Sequence, residues 1–97
     1  MGIREEVDFG SLVNEAERLV IEELERQLER LESVPKTEES ILDMAALALN
    51  NVPPFYHVSL LGKLYASSIQ GTEYTRRIEK AVREAIRKVA ANPPPGP

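Results

Sequence analysis

Residues 41–56 read ILDMAALALNNVPPFY, and this stretch decides the fold. Its first nine residues are apolar apart from Asp43, so the helix that they predict lacks a polar face and belongs in a core. Thr37, followed by two glutamates, is typical of a helix N-cap and first turn. The prolines at 53 and 54 end the helix, because proline removes a backbone donor and restrains the preceding residue. We predict a buried helix up to about Asn50 and then a short extended connector.

Amphipathic patterns on either side predict two further helices. Residues 11–33 carry apolar side chains at helical spacing, and Asn14 with Glu17 has the spacing of a capping box. A second apolar stripe predicts a helix from Thr72 to about Ala90. The fold class is therefore mainly α, a three-helix domain with a short extended Pro-Pro-x-Tyr connector. The predicted organisation is a flexible arm over 1–10, the helical domain over 11–90 and a disordered proline-rich tail over 91–97.

The chain has 97 residues, enough for only one modest core. Two other helices are too few to cover a second helix that is apolar nearly all round. We therefore expect a homodimer, packed or intertwined, in which a second copy covers the remaining face.

Composition excludes several function classes. The chain has no cysteine and one histidine, which excludes disulfides and thiolate nucleophiles and argues against a histidine-based metal site. We find no nucleophile–base–acid set and no glycine-rich phosphate loop, so we expect no enzyme, no catalytic residue and no cofactor. No apolar run approaches the roughly 20 residues that span a bilayer. We expect a cytoplasmic protein without a membrane partner.

Charge divides the chain into an acidic and a basic half. Residues 1–50 hold 5 basic and 13 acidic side chains (5 − 13 = −8), and residues 51–97 hold 7 and 3 (7 − 3 = +4). The net charge of −4 disfavours nucleic acid as a general partner. A local anion site in the second half remains open.

The same central stretch carries a family resemblance. Asp43-x-x-Ala-Leu-Ala-Leu-Asn50-x-Val-Pro-Pro-x-Tyr56 resembles the signature of the late competence development protein family, ComFB. Asn14-x-x-Glu17-x-x-Val20 resembles the opening helix of that family. Ala81-Val82-Arg83 with Ala85 and Val89 resembles its closing helix, so that the likeness covers roughly residues 12 to 90. The central block is fairly specific, whereas the flanking helices alone are weak signals.

The resemblance implies a small, mostly helical, dimeric protein that acts as a receptor for cyclic dinucleotides, chiefly cyclic di-GMP, in bacterial signalling. Many family members carry a zinc-binding Cys-x-Cys-x-x-Cys stretch just before the aspartate of the signature. The corresponding positions here are Pro35, Thr37 and Ser40. None of them supplies a thiolate, so we expect no zinc.

The candidate ligand-binding residues lie in the connector and on the third helix: Asn50, Pro53, Pro54, Tyr56, Tyr65, Arg76, Arg77 and Arg83. Tyrosine rings can stack on guanine, and arginine pairs with both phosphate and the guanine edge. Each feature also has a structural explanation. Asn50 suits a helix C-cap, since Asn tolerates the left-handed conformation, and the tyrosines suit a half-buried core. The third helix carries a basic stripe that would balance the acidic first helix: Arg76, Lys80, Arg83 and Arg87. The helix dipole alone favours Arg87 and Lys88 near the C-terminal end. We interpret His57 as a turn residue.

The preferred function is a receptor for cyclic di-GMP, with cyclic di-AMP as a second possible ligand. The alternative is a helical adaptor that binds a downstream protein partner without a nucleotide. A DNA-associated competence factor is a third interpretation, which the acidic first helix opposes.

Overall fold

The computed structural model describes residues 2–58, 64, 68 and 72–95. In chain order these form α1 (Ile3–Glu6), a 3-10 turn (Phe9–Ser11), β1 (Val13–Asn14), α2 (Glu15–Leu28), α3 (Glu38–Leu49), β2 (Tyr56–His57) and α4 (Glu73–Ala91). The three long helices confirm the mainly helical fold class. None of the helices within these residues is long and apolar enough to cross a membrane.

One stripe from each long helix forms the hydrophobic core. On α2 the buried side chains recur every fourth residue, at Ala16, Val20, Leu24 and Leu28. Helix α4 packs against both α2 and α3 and buries the most side chains: Ile78, Ala81, Val82, Ala85, Ile86 and Val89. Full burial of a side chain such as valine or isoleucine stabilises the fold by about 1.5–3 kcal/mol, so α4 is the main support of the core.

The first long helix is shorter than residues 11–33. It begins at Glu15 because Val13 and Asn14 are extended and pair with β2. It ends at Leu28, where short-range bonds from the Arg30 and Leu31 amides close the last turn. The Asn14 side chain caps the helix by accepting from the Ala16 amide at 3.2 Å. Asn14 is therefore confirmed as the N-cap, with its bond to Ala16 and not to the Glu17 amide that a capping box uses, and the predicted end is wrong.

Helix α3 is less buried than its composition predicts. Thr37 caps it as expected, with its hydroxyl oxygen accepting from the Ser40 amide. Only Ser40, Met44 and Ala48 are buried, whereas Leu42 is 61% exposed. Helices α2 and α4 thus cover one face only, as expected where two helices are too few to surround a third, and the single chain does not test whether a second copy buries the rest. The homodimer stays a prediction.

A two-stranded antiparallel ladder brings the connector to the start of α2. Val13 pairs with His57, and Asn14 pairs with Tyr56. The extended connector is therefore confirmed as a short strand. The preceding arm contains α1 and the 3-10 turn, neither of which the sequence predicts, and neither element buries a residue.

Candidate functional site

The connector is held from two sides by hydrogen bonds. On one side, the Glu15 amide donates to the Phe55 carbonyl at 2.6 Å, next to the β1–β2 ladder. On the other side, the Tyr74 hydroxyl of α4 donates to the Pro53 carbonyl at 2.7 Å. The Phe55 and Tyr74 rings meet edge-on with centroids 5.6 Å apart. This segment therefore fixes the N-terminal ends of α2 and α4 relative to each other.

Asn14 is the centre of this junction. Its single side-chain oxygen accepts from the Ala16 amide at 3.2 Å and from the Phe55 amide at 2.7 Å. One residue thus caps α2 and anchors the connector, since a carbonyl oxygen has two lone pairs.

A buried carboxylate lies next to the junction. Glu15 is 3% exposed and lies 2.6 Å from the His57 ring through Oε2 and Nε2, while Arg18 donates to its other oxygen. Burial by itself raises the pKa of Glu15, but hydrogen bonds from His57 and Arg18, with their charges, outweigh it and hold that pKa below the usual value. The carboxylate is therefore ionised at neutral pH and locks β2 to α2.

A cleft of about 350 Å³ lies between the C-terminal end of α3 and one face of α4. Leu47, Ala81 and Ala85 supply its apolar lining. The charged lining comes from Arg77, Lys80, Glu84 and Lys88, with Asn51 at the α3 end. Arg77, Ala81, Glu84 and Lys88 follow one another at helical spacing, which places them on one face of α4.

Three cations of this cleft make no ion pair within the described part of the chain. Among residues 2–58, 64, 68 and 72–95, Arg77, Lys80 and Lys88 make no ion pair, whereas Arg76 pairs with Glu73 and Arg87 with Glu84. The charge of α4 as a whole is 6 − 3 = +3, and that of α2 is 2 − 5 = −3. The cleft is therefore a concave cationic surface on the basic helix, suited to an anion.

Comparison with known proteins agrees with this architecture. The family model for the late competence development protein ComFB matches residues 13–93, which include all three long helices and the connector. The chain belongs to the ComFB family. A solved structure of the late competence protein ComFB from Bacillus subtilis superposes with a TM-score of 0.73 at 24% identity, covering 86% of this chain and 92% of that chain. At that identity the likeness shows the fold alone. No curated protein matches the sequence significantly.

At two of the three positions where many ComFB members carry zinc-binding cysteines, this chain has residues that cap α3, Thr37 and Ser40. The Thr37 hydroxyl accepts from the Ser40 amide at 3.2 Å and donates to the Ser40 hydroxyl at 3.0 Å. These groups cap α3, and Pro35 offers no side-chain donor atom, so the residues present do not fit zinc. Across the described ranges no group of three His, Cys, Asp or Glu residues is placed to hold a metal.

The structure separates the residues that the sequence grouped as one site. Among the members of that group that the structure describes, only Arg77 lines the cleft. Arg76 and Arg83 are exposed and lie outside its lining, and so do Pro54 and Tyr56. Pro53 contacts Tyr74 through its carbonyl. Tyr65 lies outside the described residues.

Asn50 ends α3 with right-handed helical backbone angles (φ −73°, ψ −9°), not the left-handed conformation that its C-cap interpretation invoked. It lines a shallow depression beside the cleft, which shares Leu47 and Lys88 with it. The side-chain bond to an α3 carbonyl comes from Asn51, whose amide donates to Leu47 at 2.8 Å. Asn50 is therefore next to the cleft but not in it.

Several residues of the site were not singled out from the sequence. Lys88 was explained by the helix dipole, and Asn51 and Glu84 were not considered. The sequence places four residues at i, i+4, i+7 and i+11: Arg77, Ala81, Glu84 and Lys88. This spacing indicates a common face of the helix. The pairing of Glu15 with His57 has no local signal, since 42 residues separate them.

Proposed function

We propose that this protein is a receptor for a cyclic dinucleotide, with cyclic di-GMP as the first candidate, and that it captures the ligand without chemical change. The observation that carries the proposal is the cleft between α3 and α4, which Arg77, Lys80 and Lys88 line without making an ion pair to any described residue. Membership of the ComFB family supports it, because that family's members are identified as cyclic-dinucleotide receptors.

The cleft offers both kinds of contact that such a ligand needs. Ammonium and guanidinium groups bind phosphodiester oxygens, and guanidinium does so bidentately. The Leu47, Ala81 and Ala85 side chains give an apolar surface for a base or a ribose. At about 350 Å³ the cleft is at the small end of ligand pockets. The cleft is therefore large enough for one nucleotide unit. The other half of a twofold ligand would bind the same cleft in a second copy of the chain.

Calorimetric titration with cyclic di-GMP, cyclic di-AMP and GTP tests the proposal. We expect cyclic di-GMP to bind the parent protein, and Arg77→Ala or Lys80→Ala to weaken binding about 10-fold and to lower its salt dependence. Arg76→Ala and Arg83→Ala remove the same charge from positions of α4 that lie outside the cleft lining. Equal losses from these two variants would move the ligand out of the cleft. A parent protein that shows no binding at about 100 μM ligand, near −5.5 kcal/mol, would refute the receptor function.

An apolar groove between α2 and α3 favours the adaptor as the second candidate. Leu24, Leu28, Ile41 and Ala45 line it, and the exposed side chains of Ile21 and Leu42 flank it. A helical partner with an apolar face would fit such a groove. The adaptor becomes the preferred function if the parent protein binds no nucleotide and is also monomeric.

A further inference from the structure

Glu84 is an unexpected side chain in a cationic cleft. It lies one turn after Lys80 and one turn before Lys88 on α4, and it lines the same cleft. A carboxylate at this place repels phosphate, so a site for a simple anion gains nothing from it. It does favour a ligand that combines negative charge with hydrogen-bond donors.

The carboxylate is also partly free to bind. Its Oε2 accepts from both Arg87 Nε at 3.2 Å and an Arg87 terminal nitrogen at 2.9 Å. Its Oε1 accepts no hydrogen bond from the described side chains. The Arg87 hydrogen bonds and charge keep the pKa of Glu84 below its usual value. An ionised carboxylate is an acceptor only, so the Oε1 atom of this cleft-lining residue can accept a hydrogen bond from a ligand.

We propose that Glu84 selects guanine over adenine, by accepting from the guanine N1–H or its 2-amino group while Arg77, Lys80 and Lys88 hold the phosphates. Guanine presents donors at both of these positions. Adenine presents an unprotonated N1 and no 2-amino group, so its lone pair would face the carboxylate. This inference rests on the proposed receptor function and adds the base specificity to it.

The test compares the affinities for cyclic di-GMP and cyclic di-AMP. Removing a negative charge should raise the affinity for both anionic ligands, and the ratio of the two affinities cancels this common gain. We expect the parent to prefer cyclic di-GMP by about 10-fold or more, as a hydrogen bond to a charged group implies. Glu84→Gln, which replaces one acceptor oxygen by a donor, should bring the ratio close to one.

Glu73→Gln is the matched control. Glu73 pairs with Arg76 at the same i, i+3 spacing on the same helix, but it lies outside the cleft. This variant should keep the parent's preference. Arg87→Ala, which leaves the carboxylate in place, should keep it as well. Melting curves show that each variant folds.

Two results would overturn the inference and leave the receptor function standing: equal binding of both ligands by the parent, or an unchanged preference in Glu84→Gln. Loss of preference in Arg87→Ala with retention in Glu84→Gln would assign the selection to the arginine instead. If the parent binds neither ligand, the receptor function fails and the inference fails with it.

Discussion

At the N-terminus of α2, the Glu15 carboxylate remains charged although it is almost completely buried. His57 and Arg18 both donate to it and lower its pKa. A carboxylate whose folded pKa is depressed stabilises the protein above its unfolded pKa of about 4.3, and this contribution is lost as the pH falls through the folded value. The contact is therefore fully effective at neutral pH.

We expect Glu15→Gln to lower the free energy of unfolding by about 1–3 kcal/mol at pH 7. This deficit should shrink as the pH falls below about 4, because the parent then loses the same charge. Urea unfolding of both proteins at several pH values measures it. Glu17→Gln, an exposed glutamate in the same helical turn, is the control and should cost little. A deficit that stays constant between pH 7 and pH 3 would show that the charge is not responsible.

Residue roles were predictable from sequence where the partner is local. The cap at Asn14 was predicted, because its acceptance from Ala16 depends on spacing alone. Its second bond, to Phe55, crosses 41 residues and depends on the tertiary fold. The interpretation of His57 as a turn residue is wrong for the same reason, since its place on β2 follows from pairing with Val13.

Among the elements, the two N-caps differ in what they hold together. Thr37 caps α3 through contacts within its own first turn. Asn14 caps α2 and also anchors the connector through the Phe55 amide. Loss of a cap costs about 0.5–2 kcal/mol, and loss of the acceptor for a partly buried amide adds a penalty of up to about 1–3 kcal/mol. The two caps are therefore unequal in their contribution to stability.

We expect Asn14→Ala to destabilise the protein by about 1 kcal/mol or more beyond the loss in Thr37→Ala. Asn14→Asp should restore most of the loss, because an aspartate oxygen accepts from both amides. Thermal and urea unfolding measure the three variants. Equal losses from the two alanine variants would mean that the Phe55 bond contributes nothing to stability.

The ends of α3 and α4 agree closely with those predicted, and the end of α2 does not. The first two are marked by local signals, such as Thr37 with its glutamates and the prolines after Asn50. Beyond Leu28 the apolar pattern continues to Leu31, which is 38% exposed. Periodicity alone does not show whether the core extends that far, so the end predicted for this helix lies too far along the chain.

For the whole molecule, the exposed apolar groove is the feature that the single chain leaves unexplained. Ile21 and Leu42 are 55% and 61% exposed beside a groove of about 490 Å³ between α2 and α3. Monomeric soluble proteins rarely expose a large contiguous apolar patch. We propose that a second copy covers this groove in a homodimer, as the apolar composition of α3 predicted.

Light scattering at micromolar concentration should give twice the mass of one chain. Leu42→Glu should weaken the dimer strongly and leave the monomer folded, because the side chain is exposed in the single chain. Ala46→Glu adds the same charge to an exposed position of α3 that does not line the groove, and it should leave the dimer intact. A parent protein with the mass of one chain would end the proposal.

The opposite charges of α2 and α4 make the molecule an electric dipole. An anion that approaches from solution is drawn towards the basic helix, which carries +3, and repelled by the acidic helix, which carries −3. Attraction of this kind speeds the diffusional encounter and is screened over about 8 Å at physiological ionic strength. In the proposed receptor, added salt should therefore slow association with a phosphate ligand much more than it changes the lifetime of the complex, so that the response time, and not only the sensitivity, would depend on the ionic strength around the protein.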